Sequence, residues 1–206
     1  MKIPKMFDPR YWIRVWQSGA FDRANGTDTR FSRKSDEKQT VASHLGDSFG
    51  HTTIKDVELL ERALASCPLP IEDCTFVDIG CGKGRPLLEA LLFPFRMVWG
   101  VEIAPDLARI AQSNIDTLKR RRRIPTPATV ICGDAALCDL PAGNLVVLLN
   151  QPFGEATTRI VAQRLWAHDG AVALLYVKPT FAGAVDAIFP SCEWPANSGA
   201  RGWLRK

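Results

Sequence analysis

The sequence is poor in the features that mark several protein classes. Its 206 residues hold only six cysteines and no Cys-x-x-Cys pair, so we predict neither a disulfide scaffold nor a metal site. No apolar run approaches the ~18 residues that a membrane helix needs. The N-terminus MKIPKMFDPRYW has no apolar core before Asp8 and Arg10, which argues against a secretory signal. We therefore expect a protein of the reducing cytoplasm with no membrane partner.

Neither positive nor negative charge is in large excess. The 26 basic and 22 acidic residues leave a net charge of +4, which neither requires nor excludes nucleic acid as a partner. Arg120–Arg123 form the densest basic run, at the predicted end of a helix. Cations at that place complement the helix dipole, and the alternative is a patch for nucleic acid or an acidic partner. The composition leaves the oligomeric state open.

The first 50 residues differ in pattern from the rest. A short helix is predicted near residues 9–18, where Tyr11, Trp12 and Trp16 lie, and a long irregular loop follows it. Such a loop is either a mobile tail or a functional lid. We therefore divide the chain into an N-terminal extension or lid, residues 1–50, and a domain, residues 51–206.

From residue 54 onward, helical patterns alternate with short apolar runs. The runs are continuous rather than alternating, which is typical of parallel strands buried on both faces. We predict a doubly wound α/β sheet with helices on both faces, and ligands at the carboxyl ends of its strands. The segments SCEWP and GWLRK could add a hairpin at one edge. The predicted parallel strands lie in CTFVDIG, MVWGVEI, PATVICGD, NLVVLLN and AVALLYV.

A glycine-rich loop, Asp78 to Gly84, follows the first predicted strand. Its glycines allow a sharp turn and a close approach to a ligand. A dinucleotide fingerprint needs Gly or Ala where this chain has Arg85, and the Gly-Lys-Ser/Thr of a triphosphate-binding loop is absent. The loop therefore argues against NAD and nucleoside triphosphates.

Acidic residues end the next two strands. Glu102 ends the second strand, where a carboxylate can accept both ribose hydroxyls of an adenosine-type cofactor. Asp134 follows the third strand and could accept from an adenine amino group. The alternatives are a solvated surface side chain for Glu102, and a helix cap or turn residue for Asp134.

The segments FVDIGCGKGRPLLEA, WGVEIAP and CGDA together resemble the class I S-adenosylmethionine-dependent methyltransferases over residues 54–206. The resemblance implies a Rossmann-like, mostly parallel seven-stranded sheet of order 3-2-1-4-5-7-6 with a reversed C-terminal hairpin. It also implies S-adenosyl-L-methionine as cofactor. The cofactor-binding residues it implies are Asp78, Gly80, Cys81, Gly82, Glu102, Ile103, Asp134, Ala135 and Asn150.

Two segments resemble a bacterial subgroup of this family more narrowly. They are the loop Asp-x-Gly-Cys-Gly-Lys-Gly-Arg and the upstream FDRANGTDT. In that subgroup a segment corresponding to His51-Thr52-Thr53 would lie over the cofactor.

The fourth strand ends in Asn150-Gln151-Pro152-Phe153, which is similar to the [N/D]-x-P-[F/Y] motif of methyltransferases that act on planar nitrogens. There the Asn oxygen accepts an amine hydrogen and the aromatic ring stacks on the substrate. Asn150, Pro152 and Phe153 are thus candidates for positioning the substrate. The alternatives are a simple strand-to-helix turn and the less similar loop of the non-SET histone-lysine methyltransferases. Should a base be needed, the candidates are Glu155, His51 and Tyr11.

The leading hypothesis is therefore a cytoplasmic methyltransferase that uses S-adenosylmethionine. Its acceptor is unidentified, with a nitrogen of a protein side chain, a nucleobase or a small molecule favoured. A catalytically silent cofactor-binding or RNA-binding domain of the same fold is the first alternative. A nucleotide-dependent oxidoreductase is the second, and Arg85 argues against it.

Overall fold

A computed structural model of the chain describes residues 19–30, 52–150, 153–192, 194–195 and 199–206. Residues 19–25 are helical, and a short 3-10 turn spans Ile71–Asp73. The further helices are α1 (Ile54–Ala65), α2 (Arg85–Ala90), α3 (Pro105–Arg122), α4 (Glu155–Trp166) and α5 (Ala182–Asp186). The strands are β1 (Cys74–Ile79), β2 (Met97–Glu102), β3 (Ala128–Cys132), β4 (Asn144–Asn150), β5 (Val172–Val177), β6 (Ser191–Cys192) and β7 (Ala200–Arg205).

The strands form one sheet in the order β3-β2-β1-β4-β5-β7-β6. The pairs among β1 to β5 are parallel, whereas β7 runs antiparallel to both β5 and β6. The predicted sheet, its order and its C-terminal hairpin are thus confirmed. No helix within the described ranges is long and apolar enough to cross a bilayer.

The strands β1, β2, β4, β5 and β7 each contribute to two hydrophobic cores because successive side chains point to opposite faces. In β1, Phe76 belongs to the core beneath α1, α2 and α3, while Val77 and Ile79 belong to the core beneath α4 and α5. All six residues of β1 are buried, as are all six of β5. Burial on both faces explains why these strands read as continuous apolar runs in the sequence.

Local signals set the helix boundaries that matter for the site. Thr53 caps α1 in a reciprocal arrangement with Asp56, because each side chain accepts from the other's backbone amide. Helix α3 starts with Pro105 in its first turn and ends at Arg122, and its C-cap residue Arg123 has a left-handed φ of 54°. Both helices begin near the carboxyl ends of strands, since Thr52, just before α1, contacts Asn150 at the end of β4, and α3 follows directly after β2.

The N-terminal segment differs from its prediction. Residues 19–25 are helical instead of irregular, and Phe21 packs against the core beneath α1 to α3. Buried Asn25 donates to the carbonyl of Phe21, one helical turn earlier. Tertiary packing thus selects a helix that the polar sequence does not indicate. The helix predicted near residues 9–18 lies outside the described residues, and the division at residue 50 stays a prediction.

Candidate active site

The order in which the chain adds strands to the sheet reverses between β1 and β4. The chain proceeds from β1 outward to β2 and β3, then returns to place β4 on the other side of β1. Ile79 pairs with Leu149, so the glycine loop after β1 and Asn150 at the end of β4 are neighbours. In doubly wound sheets this switch point is where ligands bind, which makes it the candidate site.

The glycine loop has a backbone that ordinary residues rarely adopt. Gly82 and Gly84 have φ values of 53° and 83°. A Cβ on Gly84 would lie 3.1 Å from Ala111 of α3, whereas a Cβ on Gly82 would meet nothing within 4 Å. Gly84 thus serves close packing against a helix. Gly82 borders open space, as expected for a residue that a ligand approaches.

The start of the loop is fixed to the neighbouring strand. The backbone amides of Gly80 and Cys81 both donate to the carbonyl of Val101, at 2.9 and 3.0 Å. The Cys81 thiol is buried against Gly100, and burial raises its pKa well above the ordinary value. Cys81 therefore contributes packing and a backbone bond at this site, and its predicted contact with a cofactor stays a prediction.

Glu102 is buried at the end of β2 and holds two backbone segments. Its Oε2 accepts from the amide of Gly82 at 2.8 Å, and its Oε1 accepts from the amide of Ala104 at 3.0 Å. The alternative of a solvated surface side chain is therefore wrong, because the carboxylate is needed to satisfy these amides. A carboxylate has further lone pairs, so these bonds leave room for a ligand hydroxyl.

Asp78 is the second buried carboxyl group at this edge. Its side-chain oxygen Oδ2 has no hydrogen-bond partner among the described residues. Burial, and secondarily the charge of Glu102, raise the pKa of Asp78 from 3.8 to about 8. In the described part of the chain, no basic side chain forms an ion pair with either carboxyl group. The site therefore favours a ligand that brings positive charge.

The cation of the loop, Lys83, and the one that follows it at the start of α2, Arg85, are engaged elsewhere. Lys83 donates to the carbonyl of Arg30 at 2.8 Å and lies 3.4 Å from the carboxylate of Asp28. Arg85 pairs with Glu89 at 2.6 Å, and its guanidinium lies 3.7 Å from the centre of the Phe21 ring. These contacts oppose the binding of an anionic pyrophosphate by the loop, in agreement with the spacing of its glycines.

The ends of β2 and β3 bring the predicted adenine-side residues together. Gly133 donates to the carbonyl of Glu102, and Ile103 is 38% exposed beside this connection. Asp134 accepts from the amide of Ala136 at 2.8 Å, so the turn interpretation of this residue is correct. Ala135 is buried below the turn. The exposed Ile103 side chain offers an apolar surface at this edge.

The substrate-side motif is placed in part. Asn150 ends β4 half-buried, and its Nδ2 donates to Thr52 Oγ1 at 3.4 Å. Phe153 packs against the core beneath α4 and α5, just before Gly154 at the start of α4. The motif therefore includes a strand-to-helix turn, and stacking of Phe153 on a substrate stays a prediction. Pro152 lies outside the described residues.

The three candidate bases differ in how far they can be placed. Glu155 starts helix α4 at the surface and pairs with Arg159 at 3.2 Å, an arrangement that gives it no link to the two buried carboxyl groups. Tyr11 and His51 lie outside the described residues. No candidate base is therefore connected to the site by a described contact.

A pair that the sequence did not indicate joins α1 to the site. Lys178 follows β5 with a φ of 52°, and its Nζ lies 2.7 Å from Oδ2 of the buried Asp56. The capping box holds Asp56 to Thr53, next to the residue that contacts Asn150. These contacts hold the start of α1 against the carboxyl ends of β4 and β5. The spacing Thr-x-x-Asp was the only local signal for this role.

Comparison with known proteins supports the fold. A ribosomal protein L11 methylase from Lactobacillus delbrueckii subsp. bulgaricus matches 78% of this chain and 81% of its own, with 15% identity and a TM-score of 0.53. A predicted N6-adenine-specific DNA methylase from Listeria monocytogenes str. 4b F2365 matches 71% of this chain, with 14% identity and a TM-score of 0.51. This chain covers half of that one.

A third solved structure with the fold is the [4+2]-cyclase SpnF, which matches 72% of this chain and 64% of its own, with 16% identity and a TM-score of 0.52. No protein-family model matches this chain, and no curated protein does so by sequence. At such identities the likeness shows the fold alone. The described chain therefore has the Rossmann-like fold that methyltransferases use.

Proposed function

We propose that the chain is an S-adenosylmethionine-dependent methyltransferase. One observation carries the proposal: buried Asp78 and Glu102 flank the glycine loop, while the nearby cations Lys83 and Arg85 contact residues 19–30. An adenosine-type cofactor that carries positive charge fits such a site, whereas a dinucleotide or a triphosphate brings negative charge to it. The unpartnered oxygen of Asp78 supports the same choice, because an ammonium group would satisfy it.

The proposed roles follow from these positions. Gly80 and Gly82 let the backbone approach the cofactor's amino-acid part, and Asp78 accepts from its ammonium group. Glu102 accepts from the ribose hydroxyls while it holds Gly82 in place. When bound, S-adenosylmethionine supplies a methyl group on a positively charged sulfur.

On the adenine side, we assign a stacking surface to Ile103 and a hydrogen-bond acceptor to Asp134. The exposed fraction of Ile103 supports the first assignment. The carboxylate of Asp134 accepts one hydrogen bond from the turn and can accept further ones from a ligand. This supports the second assignment. Ala135 lines the same turn.

We further propose a nitrogen acceptor. Asn150 lies at the switch point, and Thr52 holds its amide from one side. Positioned in this way, the amide can orient an amine whose lone pair is to be alkylated. Positioning alone supplies much of the acceleration in such a displacement, so no general base is required of the chain.

Transfer of an isotopically labelled methyl group tests the proposal. The purified chain is incubated with methyl-labelled S-adenosylmethionine and a lysate of its source organism, which is then separated into protein, nucleic-acid and small-molecule fractions. We expect label in one fraction with the wild type, and at least a tenfold lower yield with Asn150→Ala. A wild type that binds the cofactor but labels no fraction would refute methyl transfer.

The last outcome corresponds to the alternative of a silent cofactor-binding or RNA-binding domain. The [4+2]-cyclase among the solved structures supports keeping that alternative, because the fold also carries other chemistry. Binding of S-adenosylhomocysteine without transfer would favour it.

A further inference from the structure

Residues 19–30, here called the docking segment, form a compact unit around one carboxylate. Asp22 is buried and accepts from the hydroxyl groups of Thr27 and Thr29, each at 2.8 Å. It also accepts from the amide of Thr29 at 3.2 Å. These bonds give the stretch Asp-x-x-x-x-Thr-x-Thr a defined shape despite its polar composition.

Asn114 joins the docking segment to the glycine loop. It is buried in the middle of α3 and makes three hydrogen bonds with its one side chain. Its Oδ1 accepts from the amide of Asp28 at 2.8 Å, and its Nδ2 donates to the carbonyls of Asp28 at 2.8 Å and Lys83 at 2.9 Å. A single side chain thus ties together backbone groups from two distant parts of the sequence.

Lys83 makes the same connection from the loop's side. Its side chain is only 8% exposed, and its ammonium group donates to the carbonyl of Arg30. The next residue, Gly84, packs directly on α3. The outer half of the glycine loop is therefore held by α3 and the docking segment together.

The other end of the docking segment is held by the basic run. Arg122 donates to the side chain of Asn25 at 3.0 and 3.2 Å, and Arg121 donates to the carbonyl of Ala24 at 3.4 Å. Part of the basic run therefore has a role that neither of its two sequence interpretations included.

We propose that Asn114 and Lys83 are positioning residues for the cofactor, and that the docking segment is a structural part of the cofactor site. The proposal rests on the proposed function. The docked segment holds Lys83-Gly84 so that Gly82 keeps the backbone shape beside Glu102. Undocking allows the loop to leave that shape, which lowers the fraction of molecules able to bind.

Linkage makes this proposal measurable from two directions. If undocking leaves only about a tenth of the molecules able to bind, the apparent Kd rises about tenfold. By reciprocity, the cofactor product S-adenosylhomocysteine must favour the docked segment by the same factor. A role in stability alone predicts neither effect at temperatures where the fold is intact.

The test compares Asn114→Ala and Lys83→Met with Gln112→Ala in the full chain. Gln112 lies on the same helix and also makes hydrogen bonds, to Val130 and Asp116, but none to the loop. Calorimetry gives the Kd for S-adenosylhomocysteine, and amide hydrogen exchange reports on residues 19–30. Thermal unfolding first confirms that each variant is folded at the temperature used.

We expect the Kd to rise about tenfold in Asn114→Ala and Lys83→Met, and to stay within about twofold in Gln112→Ala. S-adenosylhomocysteine should slow exchange at the amides of Asp28 and Thr29 in the wild type. At saturation it should slow exchange at the Thr29 amide of Asn114→Ala at least as much, because the ligand draws the undocked molecules into the docked state. The proposal is refuted, and the proposed function stands, if the wild type binds without any change in exchange at these amides and all three variants have the wild-type Kd. No binding by the wild type refutes the proposed function itself, and the positioning role with it.

Should Asn114→Ala fail to fold, Lys83→Met decides the matter, because it keeps the backbone carbonyl that Asn114 binds. An unchanged Kd in folded Lys83→Met, with unchanged protection of residues 19–30, would likewise overturn the proposal.

Discussion

Replacing Asp78 by Asn should make the protein more stable and its cofactor binding weaker. The carboxyl group is buried beside Glu102, with one oxygen unpartnered among the described residues. The two side chains have nearly the same shape, so the substitution removes the ionisable group with little change in packing. Both expected effects follow from the raised pKa of Asp78.

The effect on stability has a defined dependence on pH. Folding raises the pKa of Asp78 from 3.8 to about 8, so the folded state binds more protons than the unfolded state between those values. This group's contribution to stability is fully present below pH 3.8 and is lost as the pH rises towards 8. The loss is about 1.4 kcal/mol for each pH unit, or about 4 kcal/mol between pH 3.8 and pH 7.

Asparagine does not titrate and so avoids this loss. Its amide hydrogens need partners in the same buried place, which costs about 1–3 kcal/mol. We therefore expect Asp78→Asn to be more stable than the wild type by about 1–3 kcal/mol at pH 7. The advantage should shrink and reverse as the pH falls towards 5.

Binding should respond in the opposite direction. The ammonium group of the ligand favours the ionised form of Asp78, so binding at pH 7 should release close to one proton from the wild type and none from that site in Asp78→Asn. Loss of the charged hydrogen bond should cost about 1.5–3 kcal/mol, which raises the Kd about 10- to 150-fold.

Urea unfolding from pH 5 to pH 8 measures the first effect. Calorimetric titration with S-adenosylhomocysteine, in buffers of different ionisation enthalpy, counts the protons released. A stability difference between wild type and variant that is constant from pH 5 to pH 8 would refute the raised pKa. Equal proton release by the two proteins would refute the role of Asp78 at the ammonium group.

Four further substitutions, two of them compared as a pair, test other parts of the site. Gly84→Ala should lose about 1–3 kcal/mol of stability in urea unfolding, because the new Cβ would contact α3 and the residue would keep a left-handed φ. Gly82→Ala has the left-handed φ without that contact and should lose only about 1 kcal/mol. Equal losses would contradict this packing. Glu102→Gln should raise the Kd for S-adenosylhomocysteine about 10- to 100-fold in calorimetry, and an unchanged Kd would place the ribose elsewhere. Asp56→Ala should lose about 1–3 kcal/mol of stability in thermal unfolding, since it breaks both the cap of α1 and the ion pair with Lys178. A loss below about 0.5 kcal/mol, which is the range of an ordinary surface substitution, would show that other contacts hold α1 in place.

The elements that were predicted well are those with strong local signals. Strands such as Cys74–Ile79 and Val172–Val177 are buried on both faces, so their sequences are continuous apolar runs that end in turn residues. The place of the site follows from the same pattern, because parallel strands bring their carboxyl ends to one edge. The sequence alone therefore predicts that the glycines and the acidic residue Glu102 lie at the same edge of the sheet.

The contacts that were missed depend on residues far apart in the sequence. Asn114 and Asp28 are separated by 86 positions, and Lys178 and Asp56 by 122. No local pattern reports such a pair. The sequence likewise indicates a loop at residues 19–25, because their helix depends on the packing of Phe21 under Arg85 rather than on an apolar stripe of their own.

The spacing of the glycines argues against NAD and nucleoside triphosphates as ligands of the loop. The contacts of Lys83 and Arg85 explain physically why the loop does not favour such anions. In the sequence, two cations beside glycines are compatible with a phosphate-binding loop, and only the spacing of the glycines argues against it. In the fold they bind Asp28 and Phe21, which leaves the carboxyl groups of Asp78 and Glu102 to set the charge of the edge.

Calorimetric titration of the wild-type chain with S-adenosylhomocysteine and, in the same buffer, with NAD is the first measurement to make. A site set by two buried carboxyl groups should bind S-adenosylhomocysteine with a Kd of about micromolar and show no heat with NAD. Binding of NAD, or its competition with S-adenosylhomocysteine, would contradict the choice of cofactor that Asp78, Glu102 and the engaged loop cations support.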